Sequence, residues 1–284
     1  MKDGDGILKR DVENFVDLEK IKERPHSFDV IGHIAIIEFP FEKSEEEKVE
    51  IAKLIMSLNK NIRTVLEKVS ERKGIYRIRN YKFLAGEKNT ETTHKEYGCI
   101  FTLDPTKVYF SPRELTERQR IAEKVKDGEE VLVMFSGVAP YPIQIVKKRP
   151  NVKKVVAIEI NPIAVEYARK NVRINKMGDK IQIIEGDVRD LKPEFFDRFD
   201  RIVMPLPLGA ENFLDIAVRY IKNRGTIHFY NWGAEPNIFE NGEKLIAESF
   251  NKMGVKYKIL EKRKVLPYGP RKWKVCFDLM IEKH

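Results

Sequence analysis

Cysteine is scarce in this chain: only Cys99 and Cys276 occur in 284 residues, far apart and without the spacing of metal ligands. We therefore expect neither a disulfide framework nor a zinc site, and a reducing cytoplasm is the expected compartment. Long apolar runs are also missing, so we expect no membrane span, and the first residues lack the apolar segment of a signal peptide. Internal repeats and low-complexity tracts are absent too.

The charge balance is moderately basic. Lys and Arg number 53 against 44 Asp and Glu, which gives a net charge of +9 and a pI near 9.3. This balance suits a polyanionic partner such as nucleic acid, although many basic proteins bind none. Hydrophobic residues make up 42% of the chain, which is ordinary for a globular protein and argues against disorder.

The first part of the chain indicates a small α+β module. Residues 28–40 are rich in strand-forming residues, and apolar residues recur at helical spacing in 42–61 after Ser44, a suitable helix cap. Strand-like runs follow, among them residues 75–86. We predict that this module is dominated by its sheet.

The pattern changes near residue 110, where we place a domain boundary. An amphipathic helix is predicted over 113–126, and strand-like and helical segments then alternate, as is typical of a doubly wound parallel sheet. The strand-like runs of this part are 130–135, 154–160, 180–187, 201–207 and 225–231. Two further runs close the chain and are predicted to pair antiparallel. The fold class is therefore α/β, with domains at 1–110 and 111–284.

Acidic residues follow two neighbouring strands after a glycine turn. The turn at Gly137 follows the first predicted strand, Glu159 ends the second and Asp187 follows the third. Glu159 is placed to accept the two hydroxyls of a ribose, and Asp187 to accept from an adenine amino group. The phosphate-binding pattern GxGxxG is absent. The arrangement therefore favours an adenosine ligand without phosphate, such as S-adenosylmethionine (AdoMet).

Several longer segments resemble the archaeal and eukaryotic tRNA (guanine-37 N1)-methyltransferases and their wybutosine-pathway relatives. The segments that carry the resemblance are RIRNYKFLAGEKNTETTHKEYG (77–98), DPTKVYFSPRELTERQRIA (104–122), MFSGVAPYPI (134–143), AIEINPIAVEYARKNVRINK (157–176), GDVRD (186–190), IVMPLP (202–207) and GTIHFYN (225–231). The resemblance implies a Rossmann-like class I methyltransferase domain, mostly parallel with an antiparallel C-terminal strand. A small α+β RNA-positioning domain would precede it.

The resemblance also implies the roles of four residues in the reaction. Glu117 matches the general base of the family, and Arg77 matches the arginine that stabilises negative charge on the target base. Tyr109 matches a tyrosine that lines the pocket for AdoMet and the base, and Pro207 matches the fourth-strand motif. From the residues alone, Glu117 would be a solvated helix acid and Arg77 a charge on a sheet surface, since exposed charges are the default.

The same resemblance implies AdoMet as methyl donor, tRNA as partner and guanosine 37 as target, with no metal required. The residues expected to bind AdoMet are Arg113, Phe135, Gly137, Val138, Glu159, Ile160, Asp187, Val188 and Pro205. We further expect a monomer without membrane association.

Three positions depart from the family pattern. Val133 stands where an acid usually ends the first strand, Ala139 replaces a glycine of the turn, and Pro205 replaces the asparagine that opens the fourth-strand motif. Proline can neither accept from nor donate to a target base through its ring. Two alternatives therefore stay open: transfer of the 3-amino-3-carboxypropyl group of AdoMet to a wybutosine precursor, and a tRNA-binding relative without catalysis.

Two basic stretches carry interleaved aromatic residues. Residues 60–82 and 256–274 are rich in Lys and Arg, and Tyr268 and Trp273 are candidates for stacking on an extruded base. The alternative is that both stretches are solvated sheet edges protected by lysine.

Two prolines lie one residue apart where the fourth strand ends. Pro205 and Pro207 interrupt the apolar stretch IVMPLPLGAENF (202–213). Proline cannot donate to a strand ladder, so each would end the strand. We predict that this stiff segment forms one wall of the target-base pocket, with carbonyls such as that of Leu206 directed at the base.

Overall fold

A computed structural model of the chain describes residues 28–39, 42–71 and 74–283. The described residues divide into two compact units. The first contains 28–71 and 79–90, and the second contains 74–78 and 91–283.

The first unit is a four-stranded sheet with one helix. Its elements are β1 (Asp29–Ile31), β2 (Ile34–Ile37), α1 (Glu45–Leu58), β3 (Thr64–Lys68) and β4 (Tyr81–Gly86). The strands lie in the order β1-β2-β3-β4, and only the β2–β3 pair is parallel. Ser44 caps α1 through a reciprocal pair of hydrogen bonds with Glu47, as the sequence predicts. The expected small α+β module is therefore present.

The second unit begins with a hairpin and continues as an α/β sheet. Its strands are β5 (Thr92–Glu96), β6 (Cys99–Leu103), β7 (Glu130–Val133), β8 (Lys154–Glu159), β9 (Ile181–Glu185), β10 (Phe199–Met204), β11 (Ile221–Ala234), β12 (Lys256–Gly269) and β13 (Lys272–Glu282). Its helices are α2 (Leu115–Lys124), α3 (Pro140–Lys148), α4 (Pro162–Ile174), α5 (Leu214–Tyr220) and α6 (Glu240–Met253).

The large sheet has the order β12-β13-β11-β10-β7-β8-β9. The strands from β11 to β9 are parallel to one another, and β13 is antiparallel to both of its neighbours. The predicted Rossmann-like class, with an antiparallel C-terminal strand, is confirmed. The chain order reverses between β7 and β10, and the crevice at such a reversal is where ligands of open α/β sheets bind.

The central strands are buried on both faces, which explains their almost continuous apolar sequence. Val131, Leu132 and Val133 have no exposed surface. Because helices cover both faces of a parallel sheet, such strands show no polar alternation. The position of Val133 is therefore an interior one.

The compact units divide at residue 90/91, with residues 74–78 in the second unit, whereas the boundary predicted from the sequence is near 110. The hairpin β5–β6 belongs to the second unit because helix α4 holds the edge of β6. The side-chain amide of Asn171 accepts from the Thr102 N–H at 2.7 Å and donates to its carbonyl at 3.1 Å. Asn175 makes the same two bonds to Ile100, at 3.0 and 2.7 Å. Two amides thus take the place of a neighbouring strand, a pairing that sequence periodicity does not reveal.

The predicted strand at 75–86 was wrong in its first half. Only Tyr81–Gly86 is a strand, because Gly74 and Arg77 both have positive φ, 69° and 55°, and turn the chain before it. The predicted helix at 113–126 is shorter, since it starts at Leu115 and ends at Lys124.

Two expectations from composition can be compared with the structure. Both cysteines are free and buried. Among the residues that the structure describes, none of the helices is long and apolar enough to cross a membrane.

A buried ion pair fastens the hairpin to helix α2. Arg118, which is 1% exposed, donates to both carboxylate oxygens of Glu96 at 2.7 and 2.6 Å. The same guanidinium donates to the Ser111 carbonyl at 3.1 Å. Burial opposes ionisation of Glu96, but its bonds from His94 and Arg118 hold its pKa below the ordinary value. The pair fixes the helix that carries Glu117.

We expect Glu96→Gln to lower the free energy of unfolding by about 3–5 kcal/mol, because it leaves the buried Arg118 charge without its hydrogen-bonded counter-ion. Urea denaturation at neutral pH measures this. The matched control is Glu123→Gln, since Glu123 pairs with Lys148 at 2.9 Å on the surface; its cost should stay below about 1 kcal/mol. Equal costs for the two variants would contradict the prediction.

Candidate active site

The glycine turn follows β7 and faces the end of β8. Phe135, Gly137 and Ala139 all have left-handed backbone conformations, with φ of 57°, 56° and 66°. The Ser136 N–H donates to the Ile158 carbonyl at 2.9 Å, which holds the turn against β8. Ala139 thus occupies a conformation that glycine adopts without steric cost, in agreement with the glycine expected there by resemblance.

Glu159 ends β8 as a buried carboxylate. Its two oxygens accept the backbone N–H groups of Gly137 at 2.7 Å and Asn161 at 2.9 Å. Within the described ranges, no Lys or Arg forms an ion pair with it, and it is 9% exposed. Burial raises its pKa, against the opposing effect of the backbone donors. A buried acid without a counter-ion at a strand end is a candidate ligand-binding group.

Asp187 lies two residues beyond the end of β9, whose last residue, Glu185, pairs with Glu159. Its carboxylate accepts from the backbone and side chain of Arg189, each at 2.9 Å. The bond from the Arg189 side chain is the main reason that the pKa of Asp187 is lowered. The guanidinium of Arg189 also lies 5.6 Å from the ring centre of Phe213.

Four other predicted cofactor residues surround these acids in different ways. Phe135 packs edge-on against Phe213 with ring centres 5.0 Å apart. Val138 and Val188 are buried in the interior, so only their backbone groups are available to a ligand. Ile160, half-buried, directly follows Glu159.

Helix α2 presents a polar stripe to the sheet. Glu114, Glu117, Arg120 and Lys124 recur at intervals of three and four residues, so they lie on one face of the helix. Opposite them, every second residue of β11 and β13 is polar or contains sulfur; these residues are His228, Tyr230, Lys274, Cys276 and Asp278. The interface between helix and sheet is therefore a charged one.

Glu117 lies within this interface and is not the solvated acid that the residues alone suggest. Arg120 donates to its two oxygens at 2.9 and 2.6 Å, and the Tyr230 hydroxyl donates at 2.5 Å. Tyr230 directly follows Phe229, which pairs with Met204 at the end of β10. Glu117 is therefore held at the level where the fourth strand ends.

Tyr109 contacts a different acid. Its hydroxyl donates to Glu114 at 2.9 Å, and the Lys274 ammonium donates to the same oxygen at 2.8 Å. Burial opposes ionisation of Glu114, but the charges of Lys274 and Arg118 keep its pKa below the ordinary value. The Tyr109 carbonyl also lies 3.6 Å from the position that a β-carbon on Gly137 would take, so this tyrosine borders the glycine turn. Arg113, between these segments, is exposed.

The inner end of the stripe contains a possible metal-ligand cluster of His228, Cys276 and Asp278. Arg120 donates to the Cys276 sulfur at 3.2 Å and to Asp278 at 2.8 Å, and Lys124 lies 2.8 Å from Asp278. Two cationic side chains therefore already balance the charge of this cluster, which argues against a metal ion as its partner.

The end of β10 forms a tight turn. The Leu206 N–H donates to the Met204 carbonyl at 2.7 Å, so Pro205 is the central residue of a three-residue turn. Pro205 and Pro207 are half-buried. Arg77 donates to the Leu208 carbonyl at 2.7 Å, which fixes its guanidinium at this segment. Arg77 itself lies in the turn of residues 74–77, so it is not the sheet-surface charge considered as an alternative.

The structure thus brings the predicted residues together around two strand ends. Gly137, Glu159 and Asp187 gather at β7–β9, whereas Arg77 and Glu117 are both fixed beside the end of β10. Sequence analysis missed Glu114, Tyr230, Lys274 and the inner cluster. The available signal was the alternation in HFYNW and KWKVCFD, which places polar residues on one face of two strands.

Comparison with known proteins agrees with this arrangement. Residues 92–260 match the family described as the TRM5/TYW2 methyltransferase domain, and residues 8–90 match the TYW2 N-terminal domain. The division between the two matches is the one that the compact units show.

Individual relatives extend the similarity over most of the chain. The tRNA (guanine(37)-N(1))-methyltransferase Trm5b of Pyrococcus abyssi is 40% identical over 90% of this chain and 75% of its own. The structure of aTrm5 with tRNALeu has a TM-score of 0.82 at 34% identity, covering 99% of this chain and 80% of that one. TYW2 of M. jannaschii, in complex with AdoMet, has a TM-score of 0.70 at 30% identity, covering 91% and 100%. The chain belongs to the TRM5/TYW2 methyltransferase family.

Proposed function

We propose that this protein is an AdoMet-dependent tRNA methyltransferase that methylates N1 of guanosine 37, acting as a cytoplasmic monomer. The observation that carries the proposal is that two oppositely charged side chains, Arg77 and Glu117, are each fixed by other residues beside the end of β10. The relatives named for this reaction, and the complex of one of them with tRNA, support it.

The residues at β7–β9 fit AdoMet. The oxygens of Glu159 accept the backbone N–H groups of Gly137 and Asn161, with a further bond from the backbone of Ile160; because a carboxylate has about four acceptor sites, Glu159 would still accept from the ribose hydroxyls. Asp187 would accept from the adenine amino group, and the turn at Gly137 allows close approach of the ligand to the backbone. When bound, AdoMet supplies an electrophilic methyl group. The site contains no phosphate-binding loop and requires none.

The chemistry assigns different tasks to the charged pair. Guanine N1 carries a proton at neutral pH and is a poor nucleophile until a base removes it. The carboxylate of Glu117 would take this proton, and the Arg77 guanidinium would stabilise the negative charge that develops on O6. Tyr109 and Pro207 would border the base, and fixed positioning supplies much of the remaining acceleration.

A second candidate is transfer of the 3-amino-3-carboxypropyl group to a wybutosine precursor. Two observations favour it: the TYW2-type match of residues 8–90, and Pro205, whose ring cannot bond a guanine where asparagine is usual. Val133 also favours this second reaction. The choice between the two reactions depends on how the methionine moiety of AdoMet is held, and a buried valine cannot bind its amino group. Both reactions use AdoMet but break different carbon–sulfur bonds.

Isotope labelling separates the two reactions. We expect unmodified tRNA incubated with methyl-labelled AdoMet to yield labelled 1-methylguanosine, detected by mass spectrometry of the nucleosides. AdoMet labelled in its carboxyl carbon should leave the tRNA unlabelled. Parallel reactions use tRNA that carries 4-demethylwyosine. Label only from the carboxyl carbon would favour the second candidate, and no label from either would contradict both.

We expect Glu117→Gln to lower the single-turnover rate by roughly 10²–10⁴-fold, because it removes the general base. AdoMet affinity should not change, since Glu117 lies apart from Glu159. Glu123→Gln is the matched control, an exposed acid on the same helix. Glu114→Gln tests the neighbouring buried acid. An unchanged rate for Glu117→Gln, with loss of rate for Glu114→Gln, would assign the base to Glu114.

AdoMet binding should depend on the ionisation of Glu159. Because burial raises the pKa of Glu159, its carboxylate is lost on acidification at a higher pH than an ordinary glutamate, about 4.3. The pKa of Asp187 is lowered, so Asp187 stays ionised in that window. Calorimetric titration should show the Kd for AdoMet rising as pH falls through the raised pKa. In Glu159→Gln, binding should be weaker and lack this rise; an unchanged pH dependence would contradict the assignment.

A further inference from the structure

Three antiparallel strands project beyond the end of the parallel sheet. Strand β11 pairs with β10 up to Phe229 and Met204 and then continues to Ala234. Over this extra length it pairs with β13, and β13 pairs with β12. The five residues from 230 to 234 extend about 17 Å at 3.4 Å per residue. The projection lies at the end of the sheet where the candidate active site is built.

Both tryptophans of the chain lie in this projection. Trp232 is opposite Lys274, whereas Trp273 is opposite Gly233. Directly opposed residues point to the same face and successive residues to opposite faces, so the two indoles lie on different faces. Trp232 shares the face of Lys274, whose ammonium donates to Glu114.

Trp232 forms an aromatic platform with Tyr268. The ring centres are 4.2 Å apart, and Tyr268 is 49% exposed. Trp232 is two residues beyond Tyr230, the donor to Glu117, on the same face of the same strand. That separation corresponds to about 7 Å along the strand. The platform is therefore next to the candidate base.

Trp273 differs from Trp232 in its surroundings. Its indole N–H donates to Glu235 at 3.1 Å, and the Lys264 ammonium covers its ring at 4.3 Å from the centre. On this face, helix α6 covers the sheet through the contact of Gly242 with Phe277. Trp273 is therefore already engaged by the protein.

Cationic side chains surround the platform at the end of the hairpin. Arg271 and Lys272 form the tip between β12 and β13, and Arg263 lies along β12 opposite Cys276, on the face of Lys274; all three are exposed. Tyr268 is exposed and Trp232 is half-buried. Cations beside accessible aromatic rings are the combination that single-stranded nucleic acids bind, since phosphates meet the charges and bases stack on the rings.

We infer that Trp232 and Tyr268 stack an unpaired nucleobase of the tRNA next to the target nucleotide, while Arg271 and Lys272 contact its phosphates. This inference rests on the proposed function, because it takes tRNA as the partner. It adds the surface that holds the strand near Glu117. The occupant is an unpaired RNA segment, since a base within a duplex offers no free face to a ring.

Tryptophan fluorescence reports on the projection alone, because both tryptophans lie in it, one on each face. The probe is an anticodon stem-loop RNA with unmodified guanosine 37, and a fully paired RNA duplex of equal length is the control ligand. In Trp273→Phe, where Trp232 is the reporter, the stem-loop should quench the emission. In Trp232→Phe, where Trp273 is the reporter, quenching should be small. Equal quenching in both, or equal quenching by the duplex, would overturn the inference.

Affinity measurements test the ring and the charges separately. Tyr268→Ala should raise the Kd for the stem-loop by roughly 5- to 150-fold, the range for loss of one stacked base, and Tyr268→Phe should restore binding. The double variant Arg271→Gln/Lys272→Gln should reduce the slope of log K against log salt by about 2. Lys244→Gln/Lys252→Gln, on helix α6, is the matched control and should change neither quantity.

The outcomes separate this inference from the proposed function. If Tyr268→Ala binds the stem-loop as the unsubstituted protein does, the platform is not a stacking site, whatever product the enzyme forms. If the variants weaken binding but the labelling experiment yields no 1-methylguanosine, the platform stands and the proposed reaction fails. Absence of stem-loop binding by the unsubstituted protein would overturn the inference.

Discussion

The charged contact between helix α2 and strands β11 and β13 is the constraint on which the candidate active site depends. Glu114 pairs with Lys274, and Arg120 bridges Glu117 and Asp278, all buried. Buried ion pairs add little net stability compared with apolar packing, but removal of one partner costs several kcal/mol. The helix therefore has one register in which every charge is paired. That register places Glu117 at the end of the fourth strand.

Hydrogen bonding fixes the state of the histidine at the inner end of this contact. His228 Nε2 lies 2.8 Å from the Arg201 guanidinium, which can only donate, so Nε2 accepts. Nδ1 then carries the proton and donates to Asp278 at 2.6 Å. A second proton would set two donors against each other, and burial likewise lowers the pKa of His228. Because the imidazole is neutral, Asp278 keeps its full negative charge. The positive charge of Arg120 is therefore balanced by Asp278 and Glu117 together, and not by Glu117 alone.

The sequence was sufficient for the sheet and for the strand ends, because both depend on local periodicity. Gly137 and Asp187 follow their strands and Glu159 ends its own, as the pattern indicates. The place of the hairpin in the second compact unit was not predictable, since the amides of Asn171 and Asn175 hold it across a long sequence separation. The environment of Glu117 was missed for a related reason.

A stripe such as the one on helix α2 has the same spacing whether it faces water or a polar sheet. The polar alternation of β11 and β13 was the signal that could have separated the two cases. Exposed charges are so common that single positions favour the wrong answer. Only the contact between the polar face of helix α2 and the polar face of β11 and β13 separates the two cases, and that contact is a feature of the tertiary structure.

The two prolines at the end of β10 are explained by the donors they remove. Pro205 and Pro207 have no N–H, and the N–H of Leu206 is used within the turn at Met204. The segment therefore offers backbone acceptors and almost no donors, and Arg77 donates to one of these acceptors at Leu208. The Watson–Crick edge of guanine has the opposite character at N1 and at the 2-amino group, where it donates. In the proposed reaction, the acceptor-rich turn would bind the 2-amino group through its backbone while Glu117 takes the proton at N1, and the asparagine side chain of the family pattern would not be needed.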